Sequence, residues 1–403
     1  MRKYSLVAFL LALVLDQLGA AQDSWPTRSW PVSTPTAVGL DAKALADLDR
    51  DLASGKHGYI DSMLIIRHGK VAYDRSYKHD YDRIYADEAK QSGPLNARDP
   101  ARPYNYFNPW WHPYYRRGDL HTMQSVTKTV TSILIGVATT RKEFPDLDTP
   151  ILKFFDTAKV ASVDDRKKRM TIRHLLTMTA GLDWHEDLPY NDPNNTASLL
   201  EASFDWVKFT IDRPMSDEPG SVFKYNSGAT QLLSYIFSAA TGKDIEEYAA
   251  QHLFGPLGID RYYWKRSPTG LADTEGGLYL DPHDLARIAY LFLKNGRWED
   301  KQIVSQEWVK ASVTPAVAVG DARHDPVSKY GLKWWLFPYG DGTSRLAWAG
   351  SGFGGQMPII LPDYDLVMVF TGWNILPDKP RRTVFSQRVA IDRVLHAITD
   401  RPQ

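Results

Sequence analysis

Strand-forming runs stand at the two ends of this chain and helix-forming runs fill its middle, and that distribution limits the folds open to it. Residues 62–67 and 70–74 are apolar, strand-like runs flanking His68 and Gly69, a hairpin signal. After Tyr330, residues 331–337, 345–349, 357–361 and 366–371 read as successive strands separated by turn residues. From Ser125 to about Gly258 the apolar residues recur at helical spacing instead, with helices expected over 172–179 (capped by Thr171), 204–209, 228–240 and 245–253. Leu45, Leu48 and Leu52 mark a helix within 41–54, Asp281 and Pro282 open one through Lys294, and 381–398 is a final amphipathic helix. Strands this far apart in sequence share a core most simply in one sheet. The expected fold is therefore α/β (α+β), an antiparallel sheet formed from both chain ends and flanked by helices, with an inserted all-helical lobe. Residues 41–120 and 266–400 would make the sheet-containing lobe, 121–265 the helical lobe, and 22–40 an extended lead-in. Residues 78–118 read as an irregular loop, with Trp110, Trp111, Tyr114 and Tyr115 near its end.

Composition narrows the function. The 403 residues carry 48 basic and 48 acidic side chains, so no global field favours nucleic acid as a partner. Arg2 and Lys3, the apolar run over 4–15 and the small residues Gly19, Ala20 and Ala21 have the order of a secretory signal over residues 1–21. Export to a periplasmic or extracellular location is expected, with no stable membrane span after cleavage. Cysteine is absent, which excludes disulfides and thiolate chemistry. Asp183, His185, Glu186, Asp187 and Asp192 match no metal-ligand spacing and read as a solvated loop, so neither a metal nor a cofactor is expected.

Three short motifs carry chemistry. Ser125 and Lys128 lie three apart at the start of an apolar helix, which puts hydroxyl and amine on one face. A serine hydroxyl becomes a nucleophile when a neighbouring base takes its proton, and lysine serves as that base only when neutral. Burial at a helix start is the expected means of neutralising it. Tyr225, in the run Phe223, Lys224, Tyr225, Asn226, Ser227 directly before a helix, is the second candidate, since a phenolate beside an ammonium can take and return a proton. The third is Gly350 in the glycine-rich stretch 348–355, where a strand edge admits close approach and the Ser351 N–H can join that of Ser125 as an oxyanion hole. A phosphate loop would need a helix after this stretch, and a strand follows.

Serine and lysine on a helix, tyrosine before a helix and glycine on a late strand, in that order, resemble the serine β-lactamase and penicillin-binding superfamily. The resemblance, over about residues 40–400, is to its class C-like branch of esterases, D-amino-acid peptidases and 6-aminohexanoate-dimer hydrolases. Gly276, Gly277 and Leu278 ahead of Asp284, Leu285, Ala286 and Arg287 support it. The resemblance implies a serine hydrolase working through an acyl-enzyme on ester or linear amide bonds of a small molecule. Ser125, Lys128 and Tyr225 would be catalytic, and Tyr190, Ser227, Trp348 and Gly350 would bind substrate. Two departures bear on substrate. Ser227 replaces the asparagine of the family's Tyr-x-Asn, and Trp348 replaces the lysine that holds a substrate carboxylate in β-lactamases of this branch. A β-lactamase or D-amino-acid peptidase is the alternative within the branch, and a penicillin-binding-like sensor without turnover is the alternative of another class.

Overall fold

The computed structural model describes residues 25–400 apart from 88–89, 91–113, 115–117, 191, 320–326, 341–343 and 376–384. The secretory-signal reading, most of the 78–118 loop with Trp110, Trp111 and Tyr115, and the start of the last expected helix lie outside the described residues.

The chain opens with α1 (Ala42–Ala53), whose N-cap Asp41 accepts from the N–H groups of Lys43 and Ala44. β1 (Ile60–Arg67) and β2 (Lys70–Ser76) follow as the expected hairpin. His68 and Gly69 both have positive φ (52° and 69°), the conformation whose twist suits a two-residue hairpin turn. Two long helices come from the middle of the chain, α2 (Val126–Thr140) and α3 (Ser227–Thr241). α4 (Pro282–Leu293) then precedes β3 (Val317–Ala318), β4 (Lys329–Tyr330), β5 (Trp335–Pro338), β6 (Leu346–Ala349), β7 (Met357–Leu361), β8 (Leu366–Gly372) and α5 (Gln387–Ala397).

These eight strands form one sheet in the order β2-β1-β8-β7-β6-β5-β4-β3, with neighbouring partners antiparallel. The first strand from the N-terminal side pairs with the last strand of the chain, Met63 opposite Phe370 and Ile65 opposite Met368. Alternation assigns the two faces. Met63, Ile65, Met368 and Phe370 pack with Leu45, Leu48 and Leu52 of α1 and Ile391 and Val394 of α5. Leu64, Ile66, Val367 and Val369 turn the other way, into the cluster that holds α2, α3 and α4. Both faces are covered, which is why β8 reads as an unbroken apolar run rather than an alternating one. Each leucine sealed this way contributes about 1.5–3 kcal/mol.

Several expected elements differ in extent. The helix after Thr171 spans Ile172–Leu176 and stops short of Thr179, because Met178 has a left-handed backbone (φ 59°). The helix expected over 204–209 is Trp206–Ile211, capped by the Asp205 carboxylate on Lys208 N–H. The one expected over 245–253 is α-helical only for Ile245–Ala249 and continues as a π-turn, Ala250–Phe254. The strand expected over 331–337 begins at Trp335, since Lys333 (φ 62°) turns the chain off the sheet. A small sheet that periodicity did not announce joins His121–Thr122, Leu278–Leu280 and Tyr263–Trp264. It ties the segment leading into α2 to the loop containing Glu275, through Met123 N–H on Leu278 O at 2.8 Å.

Candidate active site

Ser125 is the residue immediately before α2, and Gln124 ahead of it has a positive φ of 47°. A non-glycine residue in that region stores roughly 1–3 kcal/mol of strain. The tight turn is held by the next three N–H groups, of Val126, Thr127 and Lys128, which donate to the carbonyls of Met123, Gln124 and Ser125. It leaves the Ser125 hydroxyl at the mouth of a cleft of about 170 Å³ lined by Glu186, Tyr190, Tyr225, Trp335, Ser351, Gly352 and Phe353.

Lys128, one turn on and only 1% exposed, points its amine at the serine, Nζ to Oγ 2.9 Å. It also donates to the carbonyl oxygen of Glu275 at 2.6 Å and lies 3.3 Å from that residue's Oε2. Gly277 makes this loop possible, because a Cβ there would sit 2.6 Å from the Asp273 side chain. The expectation that burial neutralises Lys128 is overturned. Burial does pull its pKa down, but the Tyr225 oxygen and the Glu275 and Glu186 carboxylates outweigh it and leave the amine above its ordinary value.

Tyr225 hydrogen-bonds to Ser125, its ring centroid is 5.2 Å from Lys128 Nζ, and it stacks on Trp335 at 5.9 Å and 27°. Burial raises the Tyr225 pKa, the Lys128 cation opposes that, and Glu186 and Glu275 push it further up. Asn226 follows as the N-cap of α3, its side chain accepting from Ala229 N–H at 2.8 Å.

Glu186 is the largest departure from the solvated acidic loop that the sequence suggested. Its carboxylate is buried and takes four donors: Trp184 Nε1 (2.9 Å), Ser227 N–H (2.8 Å), the Ser227 hydroxyl (2.7 Å) and the Tyr190 hydroxyl (3.4 Å). It sits at the first turn of α3, where a negative charge is favoured. No group of three or more metal-ligating side chains is found among the described residues.

The four expected substrate contacts separate. Tyr190 lines the cleft, edge-on to Phe353 at 4.9 Å, and burial holds its phenol well above the usual value. Ser227 lies beneath the cleft with both its N–H and its hydroxyl committed to Glu186. Trp348 is half-buried on β6 and packs against the larger core instead of lining the cleft. Gly350 serves packing: a Cβ there would meet Pro358 at 2.9 Å and Val126 at 3.3 Å, so its absence lets β6 approach the start of α2.

Ser351 is oriented by strand alternation. Gly350 N–H and Gly352 N–H donate across to β7, to Pro358 O (3.0 Å) and Gln356 O (2.9 Å), so Ser351 faces the β5 side. Continuing the Trp335–Ala349 register by two residues would put Lys333 opposite Ser351, but Lys333 has left the sheet. The Ser351 N–H is thereby left on the side away from β7, in a residue that lines the cleft with Ser125. Glu275, Trp335 and Phe353 escaped the sequence reading, and Glu186 was read there as solvated. Only Glu275 had a pointer, standing directly before Gly276 and Gly277. His121 hydrogen-bonds to Asp61 (3.0 Å), and His174 accepts from the Thr171 N–H (3.1 Å).

The model of the β-lactamase family matches residues 58–382. The chain is 26% identical over 295 residues to a 6-aminohexanoate-dimer hydrolase of Paenarthrobacter ureafaciens, covering 67% of this chain and 70% of that one. It is 25% identical over 237 residues to esterase EstB of Burkholderia gladioli, covering 56% and 53%. A solved octameric penicillin-binding protein homologue from Pyrococcus abyssi superposes with a TM-score of 0.57 at 19% identity, over 84% of this chain and 74% of that one, a likeness of fold. With the match to the family model spanning most of its length, the chain belongs to the β-lactamase family.

Proposed function

We propose that this protein is an exported serine hydrolase that cleaves ester or linear amide bonds of small molecules through an acyl-enzyme on Ser125. The observation that carries the reading is the contact of the Ser125 hydroxyl with both Lys128 Nζ at 2.9 Å and the Tyr225 hydroxyl, at the mouth of an aromatic-walled cleft. Ser125 Oγ attacks the substrate carbonyl carbon while its proton passes to the Tyr225 oxygen, in the fraction of molecules whose phenol has ionised beside Lys128. The negative charge forming on the carbonyl oxygen is taken by the Ser125 and Ser351 N–H groups. The carbon–oxygen or carbon–nitrogen bond to the leaving group then breaks, and Tyr225 returns the proton to the departing alcohol or amine. Water repeats the sequence on the acyl-enzyme and frees Ser125. The relatives named as a dimer hydrolase and an esterase support the same reaction class.

Among the described residues lining the cleft, none is basic, and the charged one is Glu186. A carboxylate substrate would find no cation among these lining residues. Charge-assisted hydrogen bonds contribute about 1.5–3 kcal/mol, so the deficit for a penicillin-type acid is roughly 10–150-fold in affinity. The specificity constants for p-nitrophenyl butyrate and a linear ω-amino-acid dimer are expected to exceed those for benzylpenicillin and nitrocefin. Steady-state kinetics on the four compounds tests this, and a larger constant for either β-lactam would refute it.

A further inference from the structure

Lys333 is a buried lysine (1% exposed) that the reaction above does not use. Its amine donates to Met178 Sδ at 3.1 Å, and the same sulfur accepts the N–H of Asn226, the neighbour of Tyr225, at 3.3 Å. Its carbonyl oxygen accepts from the Thr129 hydroxyl at 2.9 Å, next to Lys128 on α2, and its N–H donates to Leu176 O at 3.1 Å. Its left-handed backbone is also what takes the chain away from Ser351. One residue therefore touches the helix bearing Ser125 and Lys128, supports the turn bearing Tyr225, and uncovers the Ser351 N–H.

We propose that Lys333 is a positioning residue, which sets the Ser125 helix, the Tyr225 turn and the Ser351 N–H relative to one another through its amine and its left-handed backbone. This rests on the reading of Ser125, Lys128 and Tyr225 given above. The amine has a sulfur where a buried ammonium would need a carboxylate. Burial lowers its pKa well below the ordinary lysine value, the Lys128 ammonium lowers it further, and Glu186 opposes them. Lys128 and Glu186 are the charged groups that act on it. An unfolded lysine is charged below about pH 10.4, so a fold that disfavours the charged form of Lys333 gives up stability below that pH. The cost disappears as pH rises to the unfolded pKa, where both states are neutral. A residue that weakens the fold while joining three parts of the site is explained by function better than by stability.

Lys333→Met keeps length and backbone conformation and deletes the amine. With p-nitrophenyl butyrate, kcat per active site is expected to fall by at least about tenfold, with KM changed less than about twofold. The melting temperature at neutral pH is expected to rise, and the gain to shrink as pH approaches about 10. Active sites are counted with a fluorophosphonate, so misfolded molecules do not enter kcat. Should the methionine variant be insoluble, Lys333→Gly, which accepts the positive φ freely, is expected to show the same loss of kcat. Unchanged kcat per labelled site, or a lowered melting temperature with activity lost only in step with labelling, would overturn the proposal. Failure of the wild-type protein to label at Ser125 would instead sink the reading on which it rests.

Discussion

Tyr225→Phe is expected to reduce kcat on a short-chain ester by about 10²–10⁴-fold, the range over which a positioned proton carrier contributes. The fold should tolerate the change, because the phenylalanine ring keeps the stack on Trp335 at 5.9 Å and 27° and only the hydroxyl that meets Ser125 is lost. The same reasoning fixes the sign of the pH dependence. The Tyr225 oxygen, Glu275 and Glu186 hold the Lys128 pKa above its ordinary value, which disfavours Lys128 as the acceptor of the serine proton. That task passes to Tyr225, whose burial makes it reluctant to ionise while the adjacent ammonium eases the loss. The competent phenolate grows as pH rises, so kcat/KM of the wild-type enzyme is expected to climb from about pH 7 upward through about pH 10. Lys128→Met removes the ammonium that favours the phenolate and should lose activity by a comparable factor. Kinetics of both variants between about pH 6 and 10 check this, and wild-type kcat in Tyr225→Phe would remove tyrosine from the mechanism.

The second large effect is on stability. Glu186→Ala leaves Trp184 Nε1, the Ser227 N–H and the Ser227 hydroxyl without their acceptor in the interior. Each buried donor stranded in this way costs about 1–3 kcal/mol, and breaking a buried charged network typically costs about 3–5 kcal/mol in total. The Tyr190 hydroxyl loses its contact too, so the loop forming one wall of the cleft should loosen and KM should rise along with the loss of stability. Denaturant unfolding together with ester kinetics gives both numbers. A variant within about 1 kcal/mol of wild type would show that the carboxylate is not needed to close the first turn of α3.

What could be read from the sequence was what depends on local pattern. The hairpin of β1 and β2 was visible because His68 and Gly69 interrupt two apolar runs, and the antiparallel sheet closed from both chain ends followed from where the strand-like runs lay. Ser125, Lys128 and Tyr225 were visible because each stands in a short motif at a helix start. The rest of the site depends on tertiary burial. Glu186 looks like one acid among several in a polar loop, and only the fold shows that Ser227 and Trp184 surround it. Trp348 and Trp335 are both tryptophans on late strands, and it is the register of β5 against β6 that decides which one reaches the cleft. The carboxylate that Glu275, distant in sequence, sets 3.3 Å from Lys128 Nζ is a contact that periodicity cannot reveal. Left-handed Lys333 delayed the start of a strand and left-handed Met178 ended a helix early, since neither residue type signals a positive φ.

The central claim is that Ser125 is the acylated nucleophile. Treating the full-length protein with a fluorophosphonate, followed by peptide mass mapping, tests it most directly. The account predicts one equivalent of label on the peptide containing Ser125, with loss of esterase activity in proportion to labelling. It also predicts neither label nor turnover in Ser125→Ala. Label on another residue, or undiminished ester hydrolysis by Ser125→Ala, would contradict it.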